Sequence, residues 1–209
     1  MKMNLPNKLT VLRLCLVPVI LIVGFMPGTV IPFYISCTIC AFLFIGTAIT
    51  DMLDGKIARR DGLITDFGKF LDPVADKFMV IGALFVILYK FPELKLLMIF
   101  TLIVVVFREL AVTSMRLVVS TGEGIVIAAN NLGKIKTVSQ IVAISTVFLE
   151  PVVQLVAKWI AELITGKELF WSTRVIPLTY ITIIFSLVMT VWSGINYIKS
   201  YWKYLDPEK

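Results

Sequence analysis

The sequence predicts an all-α integral membrane protein with six transmembrane helices and both termini in the cytoplasm. Three observations support this fold class. Of the 209 residues, 58% are hydrophobic and the mean hydropathy is +0.93, whereas soluble domains are about 45–50% apolar. The apolar residues form runs near the roughly 17–25 residues that a bilayer requires. The basic residues are also divided unevenly between the two sides that six spans define.

The apolar runs are separated by turn-forming or charged residues such as Pro27-Gly28, Pro92 and Gly122. Arg13 interrupts the first run and no small-residue cleavage site follows it, so we predict a retained span rather than a signal peptide. We find no repeat or soluble domain and expect residues 1–209 to form a single membrane domain. The predicted spans are Leu9–Phe25, Pro32–Ile57, Phe67–Tyr89, Leu94–Val119, Val138–Val156 and Val175–Ile198.

Residues 151–174 mix charged side chains with Trp159, Ile160 and Leu163. One interpretation is an amphipathic helix lying on the outer membrane surface. The other is a simple connection between the last two spans.

The basic residues predict the orientation. With six spans, the N-terminus, the 58–66 loop, the 120–137 loop and the C-terminus share one side, which carries fifteen basic residues against five. Because the side richer in Lys and Arg is cytoplasmic, we expect that side to face the cytoplasm of a cell-membrane protein. The fifteen are Lys2, Lys8, Arg13, Lys56, Arg59, Arg60, Lys69, Lys77, Arg108, Arg116, Lys134, Lys136, Lys199, Lys203 and Lys209. The five are Lys90, Lys95, Lys158, Lys167 and Arg174.

The chain contains no histidine. The usual acid or base near neutral pH and the commonest metal ligand are therefore missing. The cysteines, Cys15, Cys37 and Cys40, lie in apolar stretches, and we expect them to pack rather than to bind metal. Proton transfer must then involve Asp, Glu, Lys, Tyr or Cys.

Acidic residues are concentrated in DMLDGKIARRDGLITDFGKFLDPVAD, residues 51–76. At about 100° per residue, Asp51, Asp54, Gly55 and Ala58 share an arc of roughly 100° on one helix. The next helix aligns Gly68, Asp72 and Asp76 at i, i+4 and i+8. An antiparallel hairpin would bring both sets to the same depth near the cytoplasmic interface.

Four carboxylates at one depth repel one another unless they bind cations or share protons. Ligands that are all oxygen select hard ions, Mg²⁺ first and then Mn²⁺ or Ca²⁺. Two ions sharing a carboxylate suit a displacement at phosphorus. We therefore predict a metal site for two Mg²⁺ ions, or Mn²⁺. The alternative is that the aspartates are solvated by headgroup water.

Small residues beside the carboxylates have two interpretations. Gly55 and Ala58 leave room for a flat ligand near the helix backbone, and Arg59 offers a fork for phosphate oxygens. Close helix packing is the alternative role for the glycine and the alanine.

The pattern Asp51-x2-Asp54-Gly55-x2-Ala58-Arg59-x8-Gly68-x3-Asp72-x3-Asp76 resembles, at every position, the signature of the CDP-alcohol phosphotransferase family. This resemblance implies a six-helix membrane fold, usually homodimeric, with two metals at a cytoplasm-facing site. It also implies transfer of a phosphatidyl-type group from a CDP-linked donor to an alcohol, with release of CMP. No nucleic-acid partner is expected.

The resemblance also assigns roles by position. It implies that the first three aspartates ligate metal and that the fourth both contacts metal and accepts the proton of the acceptor hydroxyl. It places donor binding at the small residues and the arginine of the signature. The metal residues are Asp51, Asp54, Asp72 and Asp76, the catalytic residue is Asp76, and the donor-binding residues are Gly55, Ala58, Arg59 and Gly68.

A second basic cluster bears on the acceptor. Arg108 and Arg116 lie within roughly 80° of each other on the fourth helix, and Lys134 and Lys136 follow at the start of the fifth. Arginines in an apolar helix usually have an anionic partner, and Glu109 cannot neutralise four cations. We therefore predict that the four bind an acceptor that carries phosphate. The alternative is that the lysines mark topology and the arginines form ion pairs within the membrane.

Three further sequence motifs bear on which alcohol is the acceptor. R-E-x-x-x-T-x-x-R from Arg108, G-K-x-K-T-x-x-Q from Gly133, and the start NLPNKLTVLRL resemble the phosphatidylglycerophosphate synthases of the family. This resemblance implies CDP-diacylglycerol as donor and sn-glycerol 3-phosphate as acceptor. An acceptor such as inositol phosphate or phosphatidylglycerol stays open. So does a divalent-cation transporter, although its path should place polar groups across the whole membrane.

Overall fold

The computed structural model describes residues 4–60, 65–122, 131–166 and 177–202. These ranges are almost entirely helical and contain no strand. A short 3₁₀ turn, Pro92–Leu94, precedes the fourth helix. The helices are α1 (Leu5–Phe25), α2 (Phe33–Arg60), α3 (Asp66–Lys90), α4 (Lys95–Gly122), α5 (Asn131–Thr165) and α6 (Pro177–Tyr201).

Local sequence accounts for the starts of α1 and α3. The Asn4 side chain accepts a hydrogen bond from the backbone N–H of Asn7 at 3.1 Å, and Thr65 accepts one from that of Gly68 at 3.1 Å. Each cap satisfies a backbone donor that has no partner within its helix. Pro6 lies in the first turn of α1, where a missing N–H costs little.

Each of the predicted apolar runs corresponds to one helix, and the all-α prediction is confirmed. The helices extend past several predicted ends, since α1 begins at Leu5 and α2 continues to Arg60. Hydropathy falls at those ends, but backbone hydrogen bonding does not require apolar side chains.

The fifth helix is where the predicted bounds are wrong. The predicted span is Val138–Val156, whereas α5 extends from Asn131 to Thr165, with the buried Pro151 inside it. A helix of 35 residues is about 52 Å long and exceeds the roughly 30 Å of a bilayer core. Residues 151–165 therefore extend α5 instead of forming a separate connection or surface helix. Residues 167–174 of that segment lie outside the described residues.

The packing order places α1 at the centre of one half of the molecule. It packs along both α2 and α3, which make few direct contacts with each other. In the other half, α5 packs on α2 and α6, and α4 packs on α6 and α3. The main core takes side chains from each of the helices α1 to α6. It includes Val17, Ile20, Cys37, Cys40, Phe44, Val86, Ile87, Met98, Phe148 and Ile183.

Two glycines let α1 and α3 approach closely. A Cβ atom at Gly24 would overlap the side chain of Val86, and one at Gly82 would lie 3.2 Å from Val17 Cγ1. At the other end of the same pair of helices, a Cβ atom at Gly68 would lie 3.0 Å from Asn7 Oδ1. The two helices therefore run side by side, in the same direction, over nearly the whole length of α1.

The helices α1, α2, α4, α5 and α6 are long and apolar enough to cross a membrane. Of the helices in the described ranges, α3 falls outside this group, since its N-terminal half carries Asp72, Asp76 and Lys77. The chain is a multi-pass membrane protein. The count of six spans and the orientation of the termini stay predictions.

Candidate active site

One face of α1 carries polar side chains at its N-terminal end. Asn7, Thr10 and Arg13 recur every three residues, and the remaining accessible surface is 8% for Asn7, 2% for Thr10 and 0% for Arg13. Residues at this spacing lie on one side of a helix. Because α1 packs on α2 and α3, this polar face meets the acidic segment rather than solvent.

Each of these α1 residues meets one position of the signature on α3. The hydroxyl of Thr10 donates to Asp72 Oδ1 at 2.6 Å, and Arg13 Nη1 donates to Asp76 Oδ1 at 2.6 Å. The same Arg13 nitrogen lies 2.7 Å from Asp51 Oδ1 on α2. Asp51 and Asp76 therefore lie at one depth, and Arg13 of α1 bridges them.

The first of the α1 residues, Asn7, meets the glycine of the signature. The Thr65 hydroxyl donates to Asn7 Oδ1 at 3.0 Å while it caps the N–H of Gly68. A Cβ at Gly68 would lie 3.0 Å from Asn7 Oδ1 and 3.3 Å from Thr65 Oγ1. This close approach gives Gly68 a packing role. Its predicted contact with the donor stays a prediction.

Other predicted donor and metal residues lie on α2. Asp51 and Gly55 are half-buried near the C-terminal end of the helix. The backbone at Asp54, Ala58 and Arg59 is helical, but their side chains lie outside the described residues.

The basic cluster on α4 and α5 is partly neutralised. Glu109 Oε1 accepts a hydrogen bond from Arg108 Nη1 at 2.9 Å and a second, short one from Lys136 Nζ. Glu109 therefore pairs with two of the four predicted acceptor residues. All three side chains have at most 15% of their surface exposed. The alternative of ion pairs within the membrane accounts for this pair of cations.

Arg116 and Lys134 have a different setting. Both are exposed, and Arg116 Nε donates to the hydroxyl of Tyr197 at 3.4 Å. On the same helix α6, the hydroxyl of Ser193 accepts from Arg108 Nη2 at 2.9 Å. These two basic side chains are the ones that the described ion pairs leave available to an anion from outside.

A cavity of about 910 Å³ connects the carboxylates with the basic cluster. Its charged end is lined by Asp51, Asp76, Arg108, Arg116 and Lys134. From there it follows α5 as far as Leu149, which is about 22 Å along a helix axis from Lys134. The far part is mainly apolar, with Ile45, Ile49, Ile141 and Val142 among its lining.

A second cavity, of about 310 Å³, meets the first at Asp76, Arg108 and Arg116. Its lining mixes apolar residues with further charged ones, which are Asp72, Lys77, Glu109 and Lys136. Lys136 thus lines only the smaller space, and the other three predicted acceptor residues line the larger one. The predicted acidic and basic site residues with described side chains accordingly line one or both of these cavities, whereas Gly55 and Gly68 line neither.

The carboxylates fit a hard cation in their chemistry and in part of their geometry. Asp51 and Asp76 expose 35% and 47% of their side chains, and they approach closely enough to share the cationic nitrogen of Arg13. A position between two such oxygens stabilises positive charge. Among the side chains that the structure describes, which exclude Asp54, no three acidic groups converge on one point. The donors are oxygen only, as Mg²⁺ prefers.

Sequence reasoning missed the residues that support this site. The sequence indicates only a topological role for Arg13 and only a membrane span for α6, although α6 contributes Ser193 and Tyr197. For Asn7, Thr10 and Arg13 the helical spacing was a usable signal, because three polar residues on one face of an apolar helix need a polar partner. For α6 no comparable signal exists, since Ser193 and Tyr197 are ordinary in a membrane helix.

The chain is similar in sequence to several named proteins. The relatives include a CDP-diacylglycerol–glycerol-3-phosphate 3-phosphatidyltransferase of Bacillus subtilis (strain 168), 44% identical over 70% of this chain and 77% of its own length. The enzyme of the same name from Escherichia coli (strain K12) is 29% identical over 96% of both chains. A rice protein named cardiolipin synthase (CMP-forming) is 32% identical over 97% of this chain and 59% of its own length.

The sequence profile of one family covers most of the chain, from residue 3 to residue 194. That range contains the aspartates of α2 and α3, the polar face of α1 and the basic residues of α4 and α5. It is the family of CDP-alcohol phosphatidyltransferases, and this chain belongs to it.

Proposed function

We propose that this enzyme transfers the phosphatidyl group of CDP-diacylglycerol to sn-glycerol 3-phosphate, giving phosphatidylglycerophosphate and CMP. The observation that carries the proposal is the larger cavity, since it joins Asp51 and Asp76 to Arg108 and Arg116 and then becomes apolar. The names of the Bacillus subtilis and Escherichia coli relatives indicate these two substrates.

The donor has a charged diphosphate and two acyl chains, and the larger cavity has a matching division. Its charged end can receive the diphosphate, and the apolar lining of α2 and α5, including Ile45 and Leu149, can receive hydrocarbon. Gly55, Ala58 and Arg59 lie on α2 one to two turns beyond Asp51. We assign the cytidine diphosphate to that end of the cavity and of α2.

The cofactor that we propose is a pair of Mg²⁺ ions, or Mn²⁺, held by Asp51, Asp54, Asp72 and Asp76. When bound, such ions withdraw charge from the diphosphate and stabilise CMP as it leaves. Thr10 and Arg13 of α1 hold Asp72 and Asp76 through Oδ1 of each, which fixes the positions of these two carboxylates for this purpose.

Proton transfer falls to Asp76 in this proposal. Asp76 lines the larger cavity together with Asp51 and Arg116, so it can face both the donor and the acceptor there. It takes the proton of the acceptor's hydroxyl, and the hydroxyl oxygen forms a bond with the phosphorus of the phosphatidyl group. The bond from that phosphorus to the oxygen of CMP breaks, and CMP keeps the electron pair.

The acceptor's phosphate is assigned chiefly to Arg116 and Lys134. These two are exposed and line the larger cavity. Arg108 lines the same cavity and supports them, although it shares Glu109 with Lys136 as a hydrogen-bond partner. A guanidinium binds phosphate through two parallel hydrogen bonds, which also fixes the direction of the hydroxyl. We further propose that this end of the molecule faces the cytoplasm, where the basic residues are concentrated.

The test is CMP release by the purified protein with CDP-diacylglycerol, with and without a chelator, and with a series of acceptors. We expect release to require a divalent cation and to be fastest with sn-glycerol 3-phosphate. Arg116→Ala should raise the KM for glycerol 3-phosphate about 10- to 150-fold, the effect of losing a charge-assisted bond. The KM for CDP-diacylglycerol should stay nearly unchanged. Arg116→Lys should recover only part, because an ammonium lacks the fork.

Equal efficiency with unphosphorylated glycerol would contradict the acceptor assignment. A second candidate acceptor is phosphatidylglycerol, because the rice relative that matches over 97% of this chain is named cardiolipin synthase. Preference for phosphatidylglycerol vesicles over glycerol 3-phosphate in the same assay would select that function instead.

A further inference from the structure

We propose that Ser193 and Tyr197 of α6 are positioning residues that orient Arg108 and Arg116 for the acceptor's phosphate. The inference rests on the proposed function, since it concerns how that same site binds the acceptor's phosphate. The two α6 residues are one helical turn apart, and each contacts one arginine of α4. All four side chains line the larger cavity.

Arg108 is held at both ends of its fork. Nη1 donates to Glu109 Oε1 at 2.9 Å, and Nη2 donates to the hydroxyl of Ser193 at 2.9 Å. A Cβ at Gly194 would lie 3.2 Å from Arg108 Cγ, so the neighbouring glycine leaves room for the side chain in this orientation. Because Ser193 is 4% exposed, water does not readily replace its hydroxyl as an acceptor.

Tyr197 holds Arg116 through a rigid ring. The ring is buried against Val112, Met115 and Val119 of α4, and its centroid lies 4.9 Å from that of Tyr201. Its hydroxyl, fixed by this packing, accepts from Arg116 Nε at 3.4 Å. Because this contact uses Nε, the two terminal nitrogens of Arg116 are not engaged by Tyr197 and can bind phosphate as a fork.

A role in packing alone is the competing explanation, because both residues lie between α4 and α6. The two explanations predict different kinetics. A packing role changes stability and affects both substrates alike. A positioning role changes the KM of the substrate that the arginines bind and leaves the other KM unchanged.

The experiment compares Ser193→Ala and Tyr197→Phe with the wild type in the CMP-release assay. We expect each to raise the KM for glycerol 3-phosphate about 3- to 10-fold, the effect of losing one modest hydrogen bond, with no change in the KM for CDP-diacylglycerol. The matched controls are Ser186→Ala and Tyr180→Phe. Each removes the same type of hydroxyl from another position of α6, one that does not line the larger cavity. Both controls should leave the two KM values unchanged.

A double-mutant cycle tests whether Tyr197 acts through Arg116. In the Arg116→Ala background, Tyr197→Phe should have no further effect on the KM for glycerol 3-phosphate. An equal effect in both backgrounds would overturn the inference, and so would variants with a lowered melting temperature and unchanged KM values. A wild-type protein that does not use glycerol 3-phosphate overturns the proposed function as well. If the wild type uses it and these variants match the wild type, only the inference fails.

Discussion

Arg13 is a cation with no exposed surface, and its partners are carboxylates from two different helices. Lys8, one and a half turns earlier on α1, is exposed. The two look alike in the sequence, as basic residues near the N-terminus, but only Arg13 contributes to the site. Burial of an arginine is costly unless anions surround it, so Asp51 and Asp76 stabilise Arg13 as much as Arg13 positions them.

We predict that Arg13→Gln lowers both the free energy of unfolding and the rate of CMP release. Removal of one partner of a fully buried ion pair costs about 3–5 kcal/mol, and partial exposure of the carboxylates reduces this to about 1–3 kcal/mol. Thermal unfolding in detergent measures the first effect. Release of CMP should fall at least tenfold, since Asp51 and Asp76 lose the group that holds them together.

The control for this prediction is Lys8→Gln, which removes the same charge from an exposed position of the same helix. It should change stability by less than about 0.5 kcal/mol. An Arg13→Gln variant with the stability and turnover of the Lys8 variant would show that the buried contacts of Arg13 are unimportant.

Among the helices, the pair α1 and α3 determines where the carboxylates lie. Their apolar ends interlock at Gly24 with Val86 and at Gly82 with Val17, and their polar ends meet at Thr10 with Asp72. A shift of one helix along the other would separate the polar contacts. The glycines therefore matter for the site even though Gly24 lies far from it along α1.

For the contact between α1 and α3, we predict that Gly24→Ala destabilises the protein by about 1–3 kcal/mol, the usual effect of overpacking. The added Cβ has no room beside Val86, which is completely buried. Gly46→Ala is the control, because that glycine is helical and exposed and has open space around it. That control should be neutral or stabilising by up to about 1 kcal/mol.

A double variant identifies the cause. Val86→Ala makes room for the new methyl group, so Gly24→Ala with Val86→Ala should be less destabilised than the sum of the two single changes. Strict additivity in thermal or denaturant unfolding would locate the effect of Gly24→Ala elsewhere.

For the whole molecule, the position of α3 decides the number of spans. Charged residues keep α3 out of the group of clearly apolar helices, but it runs beside α1 from Gly68, near Asn7, to Val86, near Gly24. A helix that accompanies a membrane-spanning helix over this length covers the same thickness. We therefore keep the prediction of six spans.

The topological test uses reporters inserted after Gly62 and after Glu93 and fused after Lys209. We expect the Gly62 and Lys209 reporters in the cytoplasm and the Glu93 reporter on the other side, from the uneven basic residues. Reporters at Gly62 and Glu93 on one side would show that α3 does not cross. A Lys209 reporter outside the cytoplasm would contradict the orientation.

Much of this protein follows from the sequence alone. The helices follow from long apolar runs, because a chain in lipid must satisfy its backbone hydrogen bonds within each segment. The aspartates of α2 and α3 are recognisable because a helix converts fixed spacings such as Asp72 to Asp76 into a shared face. The family follows from the same spacings. These are local properties, and each is complete within a few turns of helix.

The tertiary structure alone decided which helices surround those aspartates. Thr10 and Arg13 meet Asp72 and Asp76 across 62 and 63 residues of chain, and Ser193 meets Arg108 across 85. Hydropathy shows that a helix is buried in lipid but carries no information about its rotation or its neighbours. The sequence therefore identifies Glu109 as an anion near the basic cluster. Its pairing with Arg108 and Lys136 depends on how α4 and α5 pack together.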